Sequence, residues 1–328
     1  YVCVPSPVHI DLSQLRNNSV FMNSLYPILG TGVTALLGFV FWIFVARLFP
    51  ESDVGLAGTL IALHTMLSTL SLVGFETSAV RFLAHDTRKN ESITTGMCVV
   101  ALAGAIIALI VAVALPFFNS PLAIMLNTPA TLLAFVVFTV TMTMSLYIDA
   151  IFLALRRTHY TLFKNTILSI VKIGLPFLFV SWGAFGIFTA AALAQAIGLV
   201  YGLYALTRHF GYYPIGTLNL GVVKTVWRYS TGNYTADVLH LLPLTLLPLI
   251  VVQTLGPEQA AYYYIVMMIV ALLYVIPGSA MRALFAEGAF DTQRTKAHIR
   301  HALLVSLGLL VPSMLVLLVV GPYLLVFF

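Results

Sequence analysis

The sequence predicts an all-α protein, a polytopic bundle of transmembrane helices, and three observations carry that prediction. Of the 328 residues 60% are hydrophobic and only 8% are charged, a balance foreign to a water-soluble domain of this length. The apolar residues gather into continuous runs that reach or exceed the roughly 20 residues needed to cross a bilayer. Those runs are also too long to be strands of a membrane barrel, so each must satisfy its own backbone as a helix.

Nine such runs follow one another, and each has a reason to begin or end where it does. Helix 1 (about 26 to 48) follows the segment bearing Arg16 and stops at Phe49-Pro50; helix 2 (54 to 83) follows the Pro50-Glu51 turn and exits at Arg81. Helix 3 (93 to 117) follows Arg88 and Lys89 and ends at Leu115-Pro116-Phe117. Helix 4 (129 to 155) runs into Arg156 and Arg157. Helix 5 (161 to 182) contains Pro176, and helix 6 (184 to 207) ends at Arg208. Helix 7 (229 to 254) carries Pro243 and Pro248 and closes on Gly256-Pro257. Helix 8 (260 to 285) contains Pro277, and helix 9 (302 to 320) contains Pro312. Interior prolines mark bends that neighbouring helices satisfy. The chain opens at Tyr1 and closes within the apolar stretch Tyr323 to Phe328, which reads as a fragment of a longer bundle.

The basic residues orient the bundle. Of sixteen Lys and Arg, fourteen lie on one side, Lys164 being counted with the loop after helix 4 and Lys172 set apart within helix 5, and only Arg47 reaches the other side. By the positive-inside rule the N-terminus and the even-numbered loops face the cytoplasm. The net charge of +5 is therefore an orientation signal and calls for no nucleic-acid partner. The domain plan is a cytoplasmic segment 1–25, helices 1 to 6 over 26–208, a cytoplasmic linker 209–228, and helices 7 to 9 over 229–328. Cys3 and Cys98 suggest neither a disulfide framework nor a metal cluster.

One internal repeat is visible. Leu48-Phe49-Pro50-Glu51 followed by Ser78-Ala79-Val80-Arg81 matches Leu255-Gly256-Pro257-Glu258 followed by Ser279-Ala280-Met281-Arg282. Both copies start on the same side, six helices apart, which makes a parallel repeat about an axis along the membrane normal. Short turns reusing Pro-Glu and exits reusing Arg would give the same pattern by chance.

At these residues the chain resembles a known family. Gly38-Phe39-Val40-Phe41-Trp42, Ala46-Arg47-Leu48-Phe49, Asp53-Val54-Gly55-Leu56, Gly74 with Ala79-Val80-Arg81-Phe82, and Leu284-Phe285-Ala286-Glu287 look like polysaccharide-biosynthesis membrane proteins of the O-antigen flippase type. These belong to the multidrug, oligosaccharidyl-lipid and polysaccharide (MOP) exporter superfamily. The resemblance implies two pseudo-symmetric six-helix lobes around a central cavity, the second truncated here after helix 9, working by alternating access in the cytoplasmic (inner) membrane. It also implies a lipid-linked oligosaccharide as partner, beside membrane lipids and other polysaccharide-assembly membrane proteins.

Ionisable residues inside the hydrocarbon are functional candidates because their burial is costly. Asp149 lies seven residues before Arg156 and Lys172 eight after Lys164, which puts both roughly 10 to 12 Å from the cytoplasmic side. Two readings stand: a buried ion pair locking helix 4 to helix 5, or a cavity-facing Lys172 that binds an anionic head group, with Asp149 releasing it as the lobe rocks. Asp237 and His240, three apart on helix 7, share a face and suit either ion coupling or a polar contact between lobes. Glu76, five residues from Arg81, either gates or snorkels beside it, and His64 reads as a packing residue. Arg47, Arg81 and Arg282 offer planar donor forks suited to phosphate oxygens; the last two also simply obey the positive-inside rule. Tyr262-Tyr263-Tyr264 suggests an interfacial belt.

No ATP-binding loop, nucleophile elbow or metal-ligand cluster is present in the sequence, so neither catalysis, cofactor nor metal is expected. The function expected is translocation of a polyprenyl-pyrophosphate-linked oligosaccharide. The alternatives are a cation-coupled drug antiporter of the same superfamily and a membrane-embedded glycosyltransferase or polymerase, which short loops disfavour.

Overall fold

The computed structural model describes residues 19–270, apart from 84, 85, 119, 215–217 and 219, and beyond them residues 273, 304, 307, 308, 310–319 and 321. Among the described residues the regular structure is entirely helical. Six helical segments there are long and apolar enough to cross a membrane, and the protein is a multi-pass membrane protein. The remaining runs are represented by shorter apolar stretches, Leu241–Thr254 and Leu310–Val319.

Helix α1 spans Ser19–Leu48 and ends where Phe49 and Pro50 turn the chain. Helix α2 (Glu51–Leu70) begins directly after Pro50, with Glu51 and Asp53 in its first turn, where carboxylates complement the positive end of the helix. The expected single helix over 54–83 is in fact two. After Leu70 the chain passes through Val73 (φ 47°) and Gly74 (φ 79°) before α3 (Phe75–Phe82). Glycine takes the left-handed region freely, whereas a β-branched valine there costs about 1–2 kcal/mol, so tertiary contacts must hold the break.

Helix α4 (Lys89–Ala114) continues into 3-10 turns at Leu115–Phe118 and Pro121–Leu126. Helix α5 (Pro129–Ala154) starts with a reciprocal cap between Thr128 and Thr131 and with Pro129 in its first turn. Helix α6 (His159–Gly174) stops short at Pro176, and the rest of the expected helix 5 is 3-10 turns, Leu175–Leu178 and Val180–Trp182. Helix α7 (Gly183–Phe210) ends at Gly211 (φ 64°). Because α7 runs to Phe210 and α8 (Leu220–Thr254) begins at Leu220, the connection is shorter than the expected 209–228 linker. Helix α9 covers 257–270, and α10 is Leu310–Val319.

In the bundle α4 lies along α5, α1 packs on α6, α7 rests on both α5 and α6, and α2 is held between α7 and α8. Two apolar cores result. One, near the Pro50 turn, centres on Phe41, Leu60, Phe135 and Phe188. The other, toward Arg81 and Arg88, centres on Met97, Ile151, Phe152 and Leu206. His64 belongs to the first core, buried edge-on against Phe188 at 5.2 Å between ring centres, as expected of a packing residue.

Candidate functional site: a charged cavity within the first seven helices

A cavity of about 290 Å³ opens among α1, α5, α6 and α7, with Thr34, Asp149, Lys164, Asn165, Lys172 and Gln195 among its lining residues. Sequence reasoning placed Lys164 in a loop. The structure instead puts it inside α6, with only 1% of its side chain exposed. Its ammonium donates to Asp149 Oδ2 at 2.7 Å, to Ser145 Oγ at 2.8 Å and to the Ser145 carbonyl at 2.9 Å. A lysine has three N–H donors, and all three are committed. Lys164 is thus a staple between α5 and α6.

The expected pairing of Asp149 with Lys172 is therefore corrected: the carboxylate belongs to Lys164. Depth explains the error. Lys172 lies eight residues beyond Lys164 on α6, roughly 12 Å farther along the axis, in the helix's last turn. There its charge faces the negative end of the helix dipole. Its ammonium sits 4.2 Å from the centre of the Phe41 ring on α1, a cation–π contact. Among the described residues no hydrogen-bond acceptor engages it. The cavity therefore holds two ammonium groups and one carboxylate, a formal charge of about +1, and the surplus cation is Lys172.

The staple also depends on α7. A methyl group at Gly198 would come within 3.0 Å of Leu168 and 3.7 Å of Lys164, and one at Gly202 within 3.0 Å of Ile148 and 3.6 Å of Lys164. These two glycines, four apart, leave room for the lysine stem. The Gly198-Leu-Val-Tyr-Gly202 spacing is a known signature of close helix approach in membranes and was the signal available in the sequence.

The other expected residues are dispersed. Arg47 is exposed at the end of α1, and Glu76 and Arg81 are exposed on α3. Asp237 and His240 fall on α8, but their side chains lie outside the described residues, as does Arg282 entirely. The tyrosine run makes specific contacts: Tyr262 donates to Glu51 at 2.6 Å and the Tyr264 ring packs tilted, at 52°, against Trp42 with 4.6 Å between centres. The two Pro-Glu turns of the repeat meet there, for a methyl on Gly55 would fall 1.8 Å from the Pro257 carbonyl oxygen.

A family profile described as Polysaccharide biosynthesis protein matches residues 20–285. The chain belongs to the polysaccharide biosynthesis protein family. No curated protein matches it at the level of sequence. Among solved structures this polysaccharide biosynthesis protein is similar to an inward-facing multidrug resistance MATE family transporter of the MOP superfamily (TM-score 0.61, 16% identity, 89% of this chain and 71% of that one). It is similar to the MATE multidrug transporter DinF-BH (0.60, 15%, 92% and 70%) and to an outward-facing MATE transporter (0.52, 18%, 92% and 71%). At such identities the likeness establishes the fold alone, one shared with the MATE transporters.

Proposed function

We propose that the protein is a flippase, moving a polyprenyl-pyrophosphate-linked oligosaccharide across the cytoplasmic membrane by alternating access between two lobes, with its N-terminus in the cytoplasm. The observation that carries this reading is Lys172: a cation with no carboxylate partner among the described residues, in a cavity of net positive charge, in a chain of the polysaccharide biosynthesis family. A half-buried ammonium with free donors attracts an anionic group such as a pyrophosphate more strongly than the same ammonium does in bulk water. A cationic drug would meet the wrong sign of charge. Other membrane proteins of polysaccharide assembly are the partners that fit this role.

The second reading, a cation-coupled drug antiporter, is favoured by one observation, that the similar solved structures are multidrug transporters. An embedded glycosyltransferase or polymerase fits less well, since the connections between the described helices from Ser19 to Phe210 are short, with no room for a catalytic domain.

Reconstitution of the full-length protein into proteoliposomes separates these. A fluorescent lipid-pyrophosphate-linked oligosaccharide should change leaflet, with Lys172→Gln reducing the rate about tenfold or more, the scale of one lost charge-assisted contact. Extrusion of a cationic dye without movement of the lipid-linked sugar would establish the antiporter instead.

A further inference from the structure

The break between α2 and α3 is held by side chains of α8. Tyr234 Oη donates to the Leu70 carbonyl at 2.8 Å, and Ser230 Oγ donates to the Gly74 carbonyl at 2.8 Å. A hydroxyl has a single proton, so with Ser230 committed to Gly74 the 2.7 Å contact between Ser78 Oγ and Ser230 Oγ must be a donation from Ser78. The result is a relay, Ser78 to Ser230 to Gly74, whose two serines are buried. Packing is as close as glycine permits, for a methyl on Gly74 would lie 2.3 Å from Ser230 Cβ.

Both carbonyls also accept within their own segment, Leu70 from the Val73 N–H at 3.3 Å and Gly74 from the Ser78 N–H at 3.2 Å and Thr77 Oγ1 at 3.0 Å, so the α8 hydroxyls are second partners on the second lone pair of each oxygen, and the break keeps a bond at each carbonyl when they leave. A cavity of about 400 Å³ adjoins the relay, lined by Phe75, Ser78, Asp86, Arg88, Tyr147 and Val226 among others. The lining beside the contact is therefore partly polar, and Arg88 on it is exposed. Water from that mouth can satisfy the same carbonyls once α8 withdraws. The Gly55–Pro257 contact lies near the start of α2, roughly 28 Å along the axis from Gly74.

We propose that this relay is a latch: α8 caps the interrupted helix when the mouth bearing Arg88 is closed, and releases it when that mouth opens. The latch rests on the flippase reading only for the existence of two access states, and is indifferent to the substrate. It makes Ser230 and Tyr234 determinants of the balance between states, and it gives the strained Val73–Gly74 break a purpose as a detachable joint.

The test uses the full-length protein in lipid nanodiscs without substrate, lacking Cys3 and Cys98, with spin labels on Val80→Cys of α3 and Lys224→Cys of α8, both exposed positions. Pulsed electron–electron resonance should resolve a short and a long distance. Ser230→Ala and Tyr234→Phe, each removing one oxygen, should raise the long-distance fraction about threefold or more, the shift one lost hydrogen bond produces. A single distance, or a distribution unchanged by both substitutions, would overturn the latch. A protein that flips lipid-linked sugar yet shows one distance loses the latch and keeps the flippase; two responsive distances without flipping do the reverse.

Discussion

Lys164 Nζ and Asp149 Oδ2 stand 2.7 Å apart, from positions equally far on either side of the turn at residues 155–158. The pair ties α5 to α6 at the edge of a cavity that Thr34, Asn165 and Gln195 also line. Removing one member of a buried pair leaves an uncompensated charge and costs about 3–5 kcal/mol, whereas replacing both with apolar residues of similar volume is near neutral. Asp149→Leu or Lys164→Met alone should therefore lower the Tm of the purified full-length protein by several degrees. The double variant should recover most of that loss. Additive losses in a double-mutant cycle would show the two residues to be uncoupled.

The glycines beside the lysine stem predict a second effect. Gly202→Val inserts atoms already within contact distance of Ile148 and Lys164, an overpacking worth about 1–3 kcal/mol. Gly32→Ala on α1, where a methyl would meet nothing within 4 Å, should leave thermal stability unchanged in the same assay.

Phe41 supports Lys172 from across the cavity. Phe41→Leu keeps apolar volume but removes the ring, a loss of about 0.5–2 kcal/mol in cation–π attraction. In the flippase assay KM should rise roughly 2- to 30-fold with a smaller change in kcat, the pattern of weakened ground-state binding. An unchanged KM would detach Lys172 from substrate.

His64 gives the opposite expectation. Its Nε2 is buried and makes no hydrogen bond among the described residues, so it contributes an unmet polar group to an aromatic cluster. His64→Leu should leave Tm equal or higher and transport unaltered; a large drop in transport with preserved Tm would give the histidine a role in the cycle.

Gly55 reports on the other end of α2. Gly55→Ala brings a methyl into the Pro257 carbonyl, which neither backbone can yield without separating α2 from α9. Loss of the Trp42–Tyr264 contact should follow, read as a change in intrinsic tryptophan fluorescence.

The helix runs were legible in the sequence because apolar length alone identifies a membrane span. The break at Leu70–Gly74 was not, since Gly74 inside an apolar run reads equally as a packing glycine, and its partners Ser230 and Tyr234 lie more than 150 positions away. At the site, Asp149 and Lys172 were singled out from the sequence and both line the cavity, but Lys164 was lost to the positive-inside count. Measuring depth from the turn at 155–158, and not from flanking basic residues, would have paired Asp149 with Lys164. The repeat foresaw its two Pro-Glu turns as equivalent; their direct packing required coordinates, because periodicity carries no information on which faces meet.

Helix α6 has 16 residues, about 24 Å of axial rise, against roughly 45 Å for the 30 residues of α1 packed on it. The hydrocarbon slab is about 30 Å thick, and the 3-10 turn Leu175–Leu178 carries α6 on, so that His159–Leu178 crosses it beside the equally long apolar stretch Leu29–Leu48 of α1. Lys172 stands within that short helix's last turn. A bilayer much thinner or thicker than that slab obliges the lipid to deform or the helices to tilt, each at a cost of fractions of a kcal/mol per Å of mismatch. Acyl-chain length thereby becomes a variable acting on the depth at which the surplus charge is presented.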